Sequence, residues 1–111
     1  MKSLRTFQVW EYRVSLGQLL IRSPINASYD YNQDLIFMGV QYMSLPNRFE
    51  GIELVEPTDE EIQHIKKYVK NGHEMNKLYI LESKEIRFSV FAVSMKISEN
   101  KMDLFESHFD I

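Results

Sequence analysis

The sequence predicts an α+β fold: an antiparallel sheet of about six strands, strongly bent or rolled into a half-barrel, with one helix (58–71) packed on it. Three observations lead there. Most of the chain reads as strands separated by turn residues. One stretch alone has helical periodicity joined to a start signal. Several strands are apolar on both parities, yet six strands at a spacing of about 4.8 Å make a flat sheet some 25 Å wide, and a helix is only about 10 Å across. The sheet must therefore curl, or be covered by the C-terminal aromatics, or meet another chain, because monomers seldom leave large contiguous apolar patches in water.

The first strand, Leu4 to Val14, carries Phe7, Val9, Trp10 and Tyr12 on both parities, so neither face is simply solvated. Ser15-Leu16-Gly17-Gln18 turns it into a second strand, Gln18 to Ser23, which Pro24 ends because proline cannot donate to a ladder. Pro24 to Gln33 is polar and reads as a surface loop bearing Tyr29 and Tyr31. The third strand, Asp34 to Met43, is apolar on both sides, and Gly39 within it suggests a bulge or a close neighbour. Arg48-Phe49 falls in a turn before a short fourth strand, Gly51 to Val55.

Thr58 is a natural N-cap, and Glu61 three residues on completes a capping box. Asp59 and Glu60 suit the positive end of the helix dipole. Ile62, Ile65, Tyr68 and Val69 form an apolar stripe, and Asn71-Gly72 stops the helix. Two further strands, Lys77 to Glu82 and Glu85 to Ile97, join at Ser83-Lys84, and the second changes apolar parity near Val90-Phe91, where a bend is expected. Phe105 and Phe109 in the tail should pack down onto the sheet.

At 111 residues the chain is expected to form one domain, 1–111. Without cysteine it has no disulfide, thiolate metal site or cysteine nucleophile. It shows no apolar leader and nothing near the roughly 20 apolar residues of a membrane span, so a cytoplasmic location without membrane partners is expected. The net charge of −3 argues against nucleic acid as a partner. The charge comes in blocks: residues 49–63 hold six acidic side chains and no basic one.

Among chemical candidates, Glu60 and His64 stand at i, i+4, where two metal ligands could meet, but such helix pairs are common and the plain reading is an exposed pair. His73 suits a helix C-terminus, and His108 has no sequence context. Neither a nucleophile elbow nor a glycine-rich phosphate loop is present, so no catalytic residue, metal or cofactor is assigned. Arg22 shares a face with Leu20. If that face is buried, Arg22 needs Glu11, Asp34 or Glu82 as partner; the more economical reading leaves its head in solvent.

The function class expected is a non-enzymatic protein-interaction module, self-associating as a homodimer or binding a basic protein partner, as acidic immunity proteins do by analogy of class. The alternative is a small enzyme or ligand-binding protein using the concave face of the sheet. The residues expected at a partner surface are Trp10, Tyr29, Tyr31, Arg48, Phe49, Glu50, Glu53, Glu56 and Glu60. Glu50, Glu53 and Glu56 carry weight because helix physics does not account for them.

Overall fold

A computed structural model describes residues 1–69, 76–104 and 106–109. The described strands are β1 (Lys2–Arg13), β2 (Gln18–Ser23), β3 (Asn32–Met38), β4 (Tyr42–Ser44), β5 (Arg48–Val55), β6 (Lys77–Ser83), β7 (Ile86–Ala92) and β8 (Ser94–Asn100). A 3-10 turn, Val14–Leu16, joins β1 to β2, and among the described residues one helix, α1 (Asp59–Ile65), lies between β5 and β6. All eight strands belong to one antiparallel sheet in the order β4-β7-β6-β5-β1-β2-β3-β8.

The sheet has eight strands, not about six, because two of the expected strands are each broken once. Gly39, at φ +67°, divides the run from Asn32 to Ser44, and Val93 divides the run from Ile86 to Asn100. The two breaks lie against each other. Val93 N–H donates to Met38 C=O at 3.0 Å, and Gln41 N–H donates to Phe91 C=O at 2.9 Å. A β-carbon on Gly39 would stand 2.6 Å from Val93 Cγ2, so any other residue in this left-handed conformation is strained and must displace Val93. The bend foreseen near Val90-Phe91 thus falls at Val93.

This pairing forces the sheet to roll. In a flat sheet β3 and β4 would be about 29 Å apart, six strand spacings, yet the chain from Met38 to Tyr42 reaches no more than about 14 Å. The same holds for β7 and β8, which only Val93 separates. The edge strands β4 and β8 are brought round to adjoining positions without pairing with each other.

Inside the roll, six strands contribute Phe7, Leu19, Ile21, Leu35, Phe37, Phe49, Ile52, Leu81, Val90 and Ala92 to one core. Phe37 meets Tyr79, and Phe49 meets Phe88, edge to face. Phe49 is therefore not a turn residue open to a partner: β5 begins at Arg48, earlier than expected, and places Phe49 opposite Phe7 at 1% exposure. Gly51, at φ +85°, lies within β5 rather than at its start.

The outer face is covered in two places. Over β4, β6 and β7 lies α1, which buries Ile65 and is capped as expected, with Thr58 Oγ accepting from Glu61 N–H and Glu61 accepting from Thr58 N–H. The helix ends at Ile65 rather than at 71. Lys70, Asn71, Gly72 and His73 fall outside the described residues, as does Phe105. Over β2, β3 and β8 lies the C-terminal segment, whose Phe109 C=O accepts from Arg13 and whose Phe109 ring stands 5.7 Å from that guanidinium. Among the described residues no helix is long and apolar enough to cross a membrane.

Candidate functional site

Three arrangements concentrate the polar chemistry, and the sequence reading touched each only in part. The first is a cleft of about 450 Å³ between α1 and the outer face of β4, β6 and β7. Its apolar floor is Ile65, Leu78 and Ile80, and its polar walls include Tyr42, Ser44, Glu60, Glu61, His64, Arg87 and Ser89. Tyr68 follows α1 and stacks on Tyr42 at 5.2 Å between ring centroids, while His64 meets the Tyr68 ring edge-on at 5.1 Å.

Arg87 fixes this cleft. Its guanidinium donates to both carboxylate oxygens of Glu61, at 3.1 and 2.9 Å, to Glu82 at 3.1 Å and to the backbone carbonyl of Glu56 at 2.9 Å. The strand β7 thereby grips the start of α1. These hydrogen bonds hold Glu61 far below its ordinary value, at about 2, against the smaller opposing effect of desolvation. One cation thus serves two carboxylates. Glu60, beside them, has no ion pair among the described residues, so negative charge is left over.

The rest of the expected acidic face is not a field of one sign. Glu50 accepts from Arg48 at 3.1 Å, and Glu53 pairs with Lys2 at 3.6 Å. Both pairs are largely solvated and stabilise little, but each cancels an acid with a base. Glu56 is exposed and engages Arg87 through its carbonyl. Of the acidic residues expected at a partner surface, Glu60 is the one that lines this cleft. No group of three or more His, Asp or Glu among the described residues is placed to hold a metal ion.

The second arrangement overturns the solvated reading of Arg22. Arg22 is 1% exposed and Asp34 0% exposed, and Nε and Nη2 of the arginine donate to the two carboxylate oxygens at 2.8 and 2.9 Å. They face each other across the β2–β3 ladder on the outer face, as Leu20 and Ile36 do one step along. Asn100 Nδ2 and His108 Nε2, both 2.8 Å from Oδ2, complete the carboxylate's partners. Burial alone would raise the Asp34 pKa, but the hydrogen bonds from Arg22, Asn100 and His108 and the charge of Arg22 outweigh it and hold the group below its ordinary value. The other two carboxylates considered for Arg22 go elsewhere: Glu11 holds Arg13 and accepts from Ser107 Oγ, and Glu82 holds Arg87.

The C-terminal segment makes this burial possible. Met102, Glu106 and His108 all contact the pair, and Trp10, in the bulge of β1 opposite β2, sets its ring 5.6 Å from the Arg22 guanidinium. Trp10 is half-buried here, with its ring against this cluster.

The third arrangement is the loop from Pro24 to Tyr31. Its two tyrosines do not project to solvent as a pair; both rings lie on Arg5, at 4.1 and 5.0 Å from the guanidinium carbon. Arg5 has the inward parity of Phe7 and is 5% exposed.

Arg5, Arg87 and His108 were not singled out by sequence reasoning. Each has a partner at least 18 positions away in sequence, Ser23 for Arg5, Glu61 for Arg87 and Asp34 for His108, and no local spacing announces such a contact. Comparison with protein-family models, with curated proteins and with solved structures finds no match for this chain.

Proposed function

We propose that this chain is a non-enzymatic protein-interaction module that grips a basic side chain of a partner protein in the cleft beneath α1. The observation that carries this reading is the chemistry of that cleft. Two carboxylates share one guanidinium, Glu60 remains over, and the stacked rings of Tyr42 and Tyr68 stand beside them. Surplus negative charge beside π-faces suits a lysine or arginine head, which aromatic faces and carboxylates attract together. Against the concave-face alternative stands the packing of ten apolar side chains from six strands into one core inside the roll.

A short arginine-containing peptide, titrated into the protein with NMR detection, tests this. The Tyr42, Tyr68 and His64 ring signals should shift saturably, and Glu60→Gln combined with Tyr42→Ala should weaken binding by roughly tenfold, the size of one charge-assisted contact. A peptide with glutamine in place of arginine should not bind. Equal shifts with both peptides, or shifts spread over the surface, would defeat the proposal.

A second copy of the chain is the other reading that an observation favours. Val14 and Leu16 are 77% and 67% exposed on the turn next to the Gly39–Val93 corner, where Met38 and Val93 are also exposed. Light scattering behind size exclusion, comparing the wild type with Leu16→Glu, separates the two: self-association through this end gives a dimer that the charge abolishes.

A further inference from the structure

Arg5 is the exception among the arginines. Arg13, Arg22, Arg48 and Arg87 each hold a carboxylate within 3.1 Å, whereas Arg5, although 5% exposed, has none among the described residues. Its Nε donates to Ser23 Oγ at 3.0 Å, and Nη2 donates to the carbonyls of Ser23, Pro24 and Tyr31 at 3.0, 3.3 and 2.8 Å. Nη1 is buried and has no hydrogen-bond partner among the described residues. Carbonyl dipoles and the two tyrosine faces offset part of the cost of burying this charge, but no carboxylate among the described residues neutralises it. An uncompensated guanidinium at low dielectric attracts an anion far more strongly than one in water does.

The surroundings fit such a ligand. Gln33 pairs with Ser23 across β2–β3, and its Oε1 is a second buried side-chain atom without a partner at this end of the roll. The covering loop is a unit of its own: Asn26 and Tyr29 exchange backbone hydrogen bonds at 3.0 and 3.3 Å, and Asn26 Oδ1 accepts from the amides of Ser28 and Tyr29. The described bonds tying it to the strands run through Arg5 and through Ile25 N–H to Asn32 Oδ1. The turn of the loop is thus held by bonds that do not involve Arg5.

We propose that Arg5 anchors a binding site for a small oxyanion, a phosphate or a carboxylate, over which the Tyr29–Tyr31 loop closes. Nη1 supplies the free donors, and the tyrosine rings shield the charge pair from water. This site is separate from the cleft beneath α1.

The test uses the full chain, with inorganic phosphate and acetate as probes and chloride at matched ionic strength as control. NMR of the arginine side-chain nitrogens and tyrosine rings should show a saturable shift at Arg5, Tyr29 and Tyr31 with phosphate or acetate and none with chloride. Response to phosphate alone assigns a phosphate ligand; response to acetate assigns a carboxylate. Arg5→Met should lower affinity roughly tenfold or more, as loss of a charged donor does. Should that variant fail to fold, the wild-type shifts and Tyr29→Ala, on the loop, still decide the matter: Tyr29→Ala should weaken binding several-fold. No saturable shift at Arg5 with either anion, or the same response to chloride, would overturn the proposal.

Discussion

Removing the Asp34 carboxylate should be among the most damaging single changes this chain can suffer. Asp34→Ala leaves the Arg22 guanidinium, 1% exposed, without the two oxygens it holds at 2.8 and 2.9 Å. Two unit charges about 4 Å apart at an effective dielectric near 20 attract by about 4 kcal/mol, and breaking a buried pair typically costs about 3–5 kcal/mol. The single variant should lose that much in urea denaturation followed by Trp10 fluorescence, a probe whose ring stands 5.6 Å from Arg22. Replacing both partners, Arg22→Met with Asp34→Leu, should stay within about 1–2 kcal/mol of wild type, because no charge is then left stranded. The cover belongs to the same argument. Deleting residues 102–111 admits water to the pair, and Asp34→Ala in that background should cost no more than about 1 kcal/mol, the value of a solvated ion pair. A loss below about 1 kcal/mol in the full chain would refute the reasoning, since it would mean that the pair is not desolvated.

Two other predictions follow from geometry and titration. Gly39→Ala should destabilise by roughly 1–3 kcal/mol through its left-handed backbone and the clash with Val93 Cγ2, and Val93→Ala should relieve part of that loss. Gly17→Ala, whose new β-carbon would meet the backbone N and O of Val40 at 2.6 and 2.8 Å, should find no such rescue; thermal melts of Gly17→Ala, Gly39→Ala, Val93→Ala, the Gly39→Ala, Val93→Ala double variant and the wild type check this. Acid should destabilise the fold through two depressed carboxylates. The contribution of Glu61 is complete above its ordinary value of 4.5 and is lost as pH falls toward about 2, and that of Asp34 fades as pH drops below 3.8. Urea midpoints measured across this range should fall less steeply for Glu61→Gln and for the Arg22→Met, Asp34→Leu double variant. Slopes equal to wild type would contradict the assignment.

Local signals were legible where the chemistry is local. The capping box at Thr58 and Glu61, the turn at Gly17, the end of β2 before Pro24 and the two-sided burial of the run after Asp34 could all be seen in short windows of sequence. The length of α1 could not. The helical stripe continues past Ile65, but the structure turns there and sets Tyr68 against Tyr42. The strand number was miscounted for a related reason: the two expected long strands each break at a corner formed by their mutual contact, and only the pairing of Val93 with Met38 selects the residue at which they break.

The candidate sites divide in the same way. An acidic block was visible, but not the basic residues that cancel half of it: Arg48 reaches Glu50 along one strand, Lys2 meets Glu53 across β1–β5, and Arg87 reaches Glu61 from β7. The tyrosines of the loop were visible, but not the arginine beneath them. Arg22 was recognised as a charge in need of a carboxylate, and Asp34 was among the partners weighed. The choice of burial over solvation depended on a segment more than 80 residues further along, since the tail carrying His108 lies over the pair.

By itself the sequence determined the first hairpin, the end of β2 and the start of α1, that no cysteine chemistry operates, and that the sheet bears apolar side chains on both faces. Those properties follow from backbone conformational preference and from solvation, which act over a few residues. Tertiary structure alone decided that the sheet rolls at Gly39 and Val93, that Phe49 belongs to the core, and that α1 and the C-terminal segment cover separate parts of the outer face. It also decided which charges are paired and which are left over, because a charge's partner is set by where distant strands come to lie.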